Sequence, residues 1–157
     1  MGAAVLAAAL LVPAAQPSPI PLFGSTDGPG PSRYIGRYYY EADEPFRRCI
    51  AQREGRWNYD GTGANGRYQG TFQMTPELVR GAVWMASKEW AHLYGKDVAR
   101  SMRVQLHNAK PTSYSREVWD QLFWTVLNWD GPRSGAHHWA GGRFTCTPGS
   151  SFDGGNR

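Results

Sequence analysis

Residues 43–74 read DEPFRRCIAQREGRWNYDGTGANGRYQGTFQM, and this stretch decides the fold. It predicts a helix at its start, because Asp43 can cap a first turn in which Pro45 needs no hydrogen-bond partner. Apolar residues then recur at helical spacing: Phe46, Cys49 and Ile50. Glu54 continues the same face, and Gly55 ends the helix. A carboxylate is therefore expected at the C-terminal end of a buried stripe.

A glycine-rich connection follows this helix. Residues 55–70 hold five glycines, and Asp60-Gly61 and Asn65-Gly66 are turn dipeptides. We expect a short hairpin here. Capping residues and breakers then predict three further helices, which begin at Thr75-Pro76, Lys96 and Ser115. The fold class is mainly α (α+β), a domain at 43–148 of about four helices and a short glycine-rich hairpin.

The N-terminal residues differ in composition from this domain. Residues 1–15 are a possible signal segment with a short apolar core, although they lack a Lys or Arg near the start. The alternative is a disordered alanine-rich tail. Residues 16–42 are predicted to be an extended, mobile Pro/Gly-rich linker. The tyrosines of 34–40 either dock on the domain or bind a ligand. Residues 149–157 are expected to form a flexible tail.

Composition excludes several classes of protein. The chain of 157 residues carries a net charge of +4, all of it within 43–157, which suits an anionic surface such as a bacterial envelope. No Lys/Arg block is dense enough to suggest a nucleic acid partner. No run approaches the roughly 18 apolar residues of a spanning helix, so stable membrane insertion is not expected. We expect a monomer.

The two cysteines, Cys49 and Cys146, lie near the two ends of the predicted domain. In an exported protein this placement favours one disulfide, and the alternative is a pair of buried thiols in a cytosolic protein. Two cysteines are too few for a four-cysteine zinc site. The adjacent His137 and His138 rarely ligate one metal together. We predict neither a metal nor another cofactor, since no phosphate-binding loop or dinucleotide fingerprint is present.

Glu54 is the strongest candidate for a catalytic residue. A carboxylate at a helix C-terminus faces the negative end of the helix dipole, and Phe46 and Ile50 precede it on an apolar face. Both features disfavour the charged form, which suits a general acid. The alternative is a solvated glutamate that pairs with Arg48 or Arg53.

Two motifs resemble a known family. Residues 51–58 (AQREGRWN) and 62–74 (TGANGRYQGTFQM) resemble the resuscitation-promoting factors of actinobacteria and their transglycosylase-like relatives, which have a lysozyme-like fold. The segment from Trp139 to Cys146 resembles the closing loop of those domains. The resemblance implies a secreted or cell-wall enzyme whose partner is peptidoglycan and whose catalytic acid is Glu54.

The resemblance also implies a saccharide groove. Gln73 would line it near Glu54, and Trp57 and Tyr68 would either pack on sugar rings or belong to the core of the hairpin. Thr75 stands where the family often has an Asp, so Asp60 is the remaining candidate for a second carboxylate in substrate binding. Arg53 replaces the family's Cys directly before the Glu.

The missing second acid favours one reaction over another. A lytic transglycosylase cleaves the β-1,4 bond between N-acetylmuramic acid and N-acetylglucosamine with one Glu, whereas a muramidase-type hydrolase uses two carboxylates. The sequence therefore favours a lytic transglycosylase. The rival interpretation is a non-catalytic peptidoglycan-binding or signalling module. In that case Arg53 pairs with Glu54 and keeps its carboxylate ionised, so that Glu54 cannot act as a general acid.

Overall fold

A computed structural model describes residues 17–24 and 28–149. Within these residues the chain forms four α-helices and one small antiparallel sheet. The helices are α1 (Glu44–Gly55), α2 (Pro76–Tyr94), α3 (Lys96–Asn108) and α4 (Arg116–Asn128). The strands are β1 (Thr62–Gly63) and β2 (Tyr68–Gln69), which pair Thr62 with Gln69. The predicted mainly helical class with a short hairpin is confirmed.

The predicted helix starts are confirmed for α2 and α4. Thr75 Oγ1 accepts a hydrogen bond from Leu78 N at 3.2 Å, and Ser115 Oγ accepts one from Val118 N at 3.1 Å. Asp43 does not cap α1 as expected. It is buried at the end of a 3-10 turn (Glu41–Asp43), where its carboxylate accepts hydrogen bonds from Arg133 Nε at 2.9–3.0 Å. A long-range ion pair thus replaces the local cap.

Helix α4 lies at the centre of the core. Every residue from Val118 to Leu127 is buried, so this part of α4 has no exposed face. Phe123 contacts rings from three other parts of the fold: Phe46, Phe72 and Trp139. A helix surrounded by other elements is buried on all sides, which a one-sided sequence pattern does not reveal.

The segment 28–40, here called the N-terminal strap, packs on the domain. Tyr34 and Tyr38 are buried in the core, so docking of the tyrosine segment is confirmed. Arg116 donates to the carbonyls of Gly28 and Pro31, and Arg47 donates to that of Gly30. The expectation of a mobile linker does not hold for the strap, because these buried arginines satisfy carbonyls that the strap cannot satisfy by itself.

Linker residues that precede the strap in sequence also contact the domain. Ile20 and Leu22 pack against the core, and Leu22 O accepts a hydrogen bond from Ser115 N at 2.9 Å. The possible signal segment at 1–15 lies outside the described residues, as does the tail beyond Gly149. No helix among the described residues is long and apolar enough to cross a membrane.

The predicted disulfide between Cys49 and Cys146 is confirmed. The two Cα atoms lie 5.7 Å apart, and the bond closes a sequence separation of 97 residues. Cys49 lies in the middle of α1, so the bond fixes the closing loop (residues 139–146) against that helix. This loop begins in a 3-10 turn (Ala136–Trp139) and forms one wall of the candidate site.

Candidate functional site

Glu54 lies in the last turn of α1 and is half-buried, with 27% of its side chain exposed. The helix ends at Gly55, and the following residue, Arg56, takes the left-handed conformation at φ 50°. Gly55 is therefore required for a different reason from the one expected. A Cβ at Gly55 would lie 2.4 Å from the Cα of Thr71. The end of α1 thus meets the backbone that follows the hairpin.

Arg53 is the partner of Glu54. Its Nε donates to Glu54 Oε1 at 2.7 Å, and its Nη2 lies 2.7 Å from the same oxygen. Only 2% of the Arg53 side chain is exposed. The pair predicted as an alternative role for Glu54 is therefore formed, with a buried cation and a half-buried carboxylate.

The closing loop supplies the remaining acceptors for Arg53. Nη1 donates to Phe144 O at 3.0 Å, and Nη2 donates to Trp139 O at 2.6 Å. Gly142 lies against the same guanidinium. A Cβ placed at Gly142 would lie 2.6 Å from Arg53 Nε. Because Cys49 precedes Arg53 by one helical turn, the disulfide and these hydrogen bonds hold the loop to one face of α1.

Trp139 joins the closing loop to the segment after the hairpin. Its indole Nε1 donates to Phe72 O at 2.9 Å, and its ring is buried against Phe123. The neighbouring Thr71 donates from Oγ1 to Ala51 O in α1 at 3.2 Å. Three parts of the chain thus converge beside Glu54: the end of α1, the exit from the hairpin and the closing loop.

Gln73 makes its observed contacts within the hairpin. Its backbone is left-handed at φ 47°, and its side-chain Nε2 donates to Gly70 O at 2.7 Å. Its Oε1 occupies the space beside Gly63 that a Cβ would fill. These contacts give Gln73 a role in shaping the hairpin. Its predicted role in lining a saccharide groove stays a prediction.

The two aromatic candidates differ in their surroundings. Trp57 packs partly against the core, and the guanidinium carbon of Arg47 lies 5.8 Å from its ring centroid. Tyr68 lies half-buried in β2 with Arg67 5.7 Å from its ring centroid. Trp57 therefore packs against the core while Tyr68 lies on the hairpin, and both side chains are only partly buried.

Thr75 and Asp60 were further candidates for substrate binding. The hydroxyl of Thr75 caps α2, which gives that residue a structural role. Asp60 is exposed at the turn that leads into β1. The exposed position leaves its proposed role as a second carboxylate open to test.

The connection between α1 and α2 carries most of the unusual backbone. Six non-glycine residues in the described part of the chain have positive φ, and five of them lie between 56 and 73: Arg56, Trp57, Ala64, Asn65 and Gln73. Such conformations cost free energy and cluster at functional sites. Among the described residues, no group of three or more His, Cys, Asp or Glu side chains is placed to hold a metal ion.

The sequence offered the Arg53–Glu54 pair as an alternative, but it did not reveal the depth at which Arg53 is buried. One signal was available, since Arg53 lies four residues after Cys49 and shares its helix face. The role of Trp139 as a hydrogen-bond donor to the hairpin segment had no local signal. No family model, curated protein or solved structure matches this chain.

Proposed function

We propose that this chain cleaves peptidoglycan glycan strands as a lytic transglycosylase, with Glu54 as its single catalytic carboxylate. The observation that carries the proposal is the half-exposed Glu54 carboxylate at the junction of α1, the hairpin segment and the closing loop. A helix-terminal glutamate beside a strained hairpin also supports a lysozyme-like domain. The bond proposed for cleavage joins N-acetylmuramic acid to N-acetylglucosamine.

In the proposed reaction Glu54 acts twice, first as a general acid and then as a general base. Glu54 donates its proton to the glycosidic oxygen as the bond to C1 of the muramoyl residue breaks. The carboxylate then removes the proton of the C6 hydroxyl, whose oxygen bonds to C1 and gives a 1,6-anhydro product. Arg53 contacts Oε1 and holds the carboxylate in place, so we assign the proton transfer to Oε2.

The disulfide supports the proposed location of the protein. Disulfides persist in oxidising compartments, and a bond that closes 97 residues suits a secreted or cell-wall protein. We infer that the chain works as a monomer outside the cytosol. Its positive net charge suits an anionic envelope.

A second candidate function is a non-catalytic peptidoglycan-binding module. The observation that favours it is the Arg53–Glu54 ion pair, since the buried guanidinium supplies a fixed counter-charge to the proposed acid. In that case the half-exposed carboxylate accepts hydrogen bonds from sugar hydroxyls and no bond is cleaved. The muramidase-type alternative requires a second carboxylate, for which Asp60 is the candidate.

Digestion of purified peptidoglycan, followed by mass spectrometry, distinguishes these functions. We expect anhydro-muropeptides from the wild type and a loss of about 10²–10⁴ in rate for Glu54→Gln, which keeps the shape and removes the proton donor. Glu41→Gln, at the exposed start of the same region, is the matched control and is expected to keep the wild-type rate.

Two outcomes overturn the transglycosylase proposal. Products with reducing ends, together with an inactive Asp60→Asn variant, identify a two-carboxylate hydrolase. A wild type that sediments with insoluble peptidoglycan and releases no product identifies a binding module. Circular dichroism on each variant separates these results from a loss of fold.

A further inference from the structure

A groove of about 390 Å³ lies between α2 and α3, on a part of the fold that the proposed function does not use. Its apolar lining comes from four residues: Val83, Trp84, Val104 and Tyr114. Three cationic or titratable side chains complete it: Arg80, Arg103 and His107. We call this site the basic groove. Its composition joins an apolar floor to a positively charged rim.

The charge of the rim extends along both helices. On α3 the cationic residues recur at helical spacing on one face: Lys96, Arg100, Arg103 and His107. On α2, Arg80 and Lys88 flank Trp84 at intervals of four residues. The two helices hold five Lys and Arg against three Asp and Glu, so half of the net charge of +4 lies on this helical pair.

The acidic residues of this region neutralise only the Arg80 part of the rim. Glu89 is buried and accepts hydrogen bonds from Tyr34 and from the backbone of Arg37, in the strap. Glu77 pairs with Arg80 at 3.0 Å on the surface. Asp97 lies in the first turn of α3. Arg100, Arg103 and Lys88 therefore dominate the field at the groove.

Large apolar side chains are exposed among these cations. Trp84 and Val104, which line the groove, each keep 48% of their surface exposed. The Nζ of Lys88 lies 4.5 Å from the Trp84 ring centroid. A tryptophan beside lysine and arginine side chains is the composition of surfaces that bind the boundary between lipid headgroups and acyl chains.

We propose that the basic groove docks the protein on an anionic phospholipid surface. The rim contacts lipid phosphates, while Trp84 and Val104 enter the boundary between headgroups and chains. A soluble polyanion would match the charge, but it would leave the exposed Trp84 and Val104 uncovered. The lipid surface matches both features, and the inference stands independently of the chemistry at Glu54.

Sedimentation with vesicles tests the proposal. We expect binding to phosphatidylcholine vesicles that contain about one-third phosphatidylglycerol, no binding to phosphatidylcholine alone, and weakening as salt is raised. Arg100→Gln and Arg103→Gln should each weaken binding about fivefold. Arg48→Gln is the matched control, because Arg48 is an exposed arginine on α1, and it should change binding less than twofold.

The apolar part of the surface is tested by Trp84→Ser, which should weaken vesicle binding at least tenfold while the far-ultraviolet spectrum stays unchanged. Equal binding to neutral and anionic vesicles, or an equal effect of Arg48→Gln and Arg100→Gln, overturns the proposal. Unchanged vesicle binding by Trp84→Ser, with competition by soluble polyphosphate, assigns the groove to polyanions and also overturns it.

Discussion

Arg53 contacts one oxygen of Glu54, its neighbour in sequence, with two nitrogens at 2.7 Å. The same guanidinium donates to the carbonyls of Trp139 and Phe144. One buried cation thus fixes the candidate acid and the closing loop together. The geometry of Glu54 therefore depends on a loop that lies more than 80 residues later in the chain.

Replacement of Arg53 tests this dependence. We expect Arg53→Met to lower the free energy of unfolding by about 2–4 kcal/mol, because the buried carbonyl of Trp139 and the partly buried carbonyl of Phe144 each lose a hydrogen bond to a charged group. Arg48→Met, at an exposed position of the same helix, should change it by less than about 0.5 kcal/mol. Urea denaturation measures both values. Equal stability of the two variants would show that the loop is held without Arg53.

The secondary structure of this chain was predicted from local signals. Thr75 and Ser115 cap helices as expected, and α3 begins at the predicted Lys96. Each of these features depends on residues within one turn of each other. The position of Glu54 at the end of α1 is also a local feature, because helical spacing and a terminal glycine determine it.

The strap could not be predicted in this way. Proline and glycine prevent it from forming a helix or strand of its own, and the sequence pattern indicates a linker. Its order comes from side chains far along the chain: Arg47, Arg116 and Glu89. The buried ion pair between Arg47 and Asp120 at 2.9 Å likewise joins residues 73 positions apart. No local pattern encodes such pairs.

Long-range contacts also shape the candidate site, and local sequence patterns do not predict them. Arg53 was recognised as a possible partner of Glu54, but it is buried only because the closing loop packs against it. Gly55 was predicted to end α1, which it does, but the sequence did not reveal that it also lets the backbone of Thr71 approach. Long-range packing determines both features.

The disulfide is expected to contribute substantially to stability. Replacement of both Cys49 and Cys146 by Ser should lower the free energy of unfolding by about 4–5 kcal/mol, because the bond closes a loop of nearly 100 residues in the unfolded chain. Guanidinium denaturation of the wild type, with and without reductant, provides the matching comparison. A change below about 1 kcal/mol would mean that the closing loop is held mainly by Arg53 and Trp139.

The strap is expected to be part of the folded domain. Tyr34 Oη donates to Glu89 Oε2 at 2.7 Å and accepts from Tyr38 N at 3.0 Å. Burial raises the pKa of Tyr34, so the hydroxyl stays protonated. Tyr34→Phe should therefore cost about 1–3 kcal/mol, since a buried carboxylate and a buried amide each lose a partner.

Tyr40→Phe is the matched control for Tyr34→Phe, because Tyr40 is 54% exposed, and it should change stability by less than about 0.5 kcal/mol. A chain that begins at Glu41 should be much less stable than either variant. If that truncated chain unfolds with the wild-type midpoint in urea, the strap adds no stability and the inference is wrong.

The closing loop is expected to weaken at acid pH. Burial and the neighbouring His137 lower the pKa of His138, whose ring lies 6.2 Å from that of Trp139. The folded state therefore binds fewer protons than the unfolded state, so His138 adds stability above its ordinary pKa of about 6.5. That stability is lost as the pH falls through the lowered value.

His138→Asn should therefore reduce the loss of stability between about pH 8 and about pH 5. Urea midpoints at the two pH values give the comparison. An identical slope in wild type and His138→Asn would assign the acid sensitivity to other groups.

The approach of α1 to the hairpin segment can be tested with two glycines that have opposite surroundings. A Cβ at Gly55 would lie 2.4 Å from Thr71 Cα and 2.5 Å from its carbonyl oxygen, so the backbone must move. Gly55→Ala should cost about 1–3 kcal/mol. Gly81 lies exposed within α2, and a Cβ there meets nothing within 4 Å. Gly81→Ala should stabilise the protein by about 0.5–1 kcal/mol, because alanine loses less backbone entropy in a helix.

If Glu54 is catalytic, Gly55→Ala should also slow peptidoglycan cleavage at temperatures where this variant stays folded, since the shift of the backbone moves the Glu54 carboxylate relative to the hairpin segment. A Gly55→Ala variant as stable and active as Gly81→Ala would show that the close contact with Thr71 does not position the site.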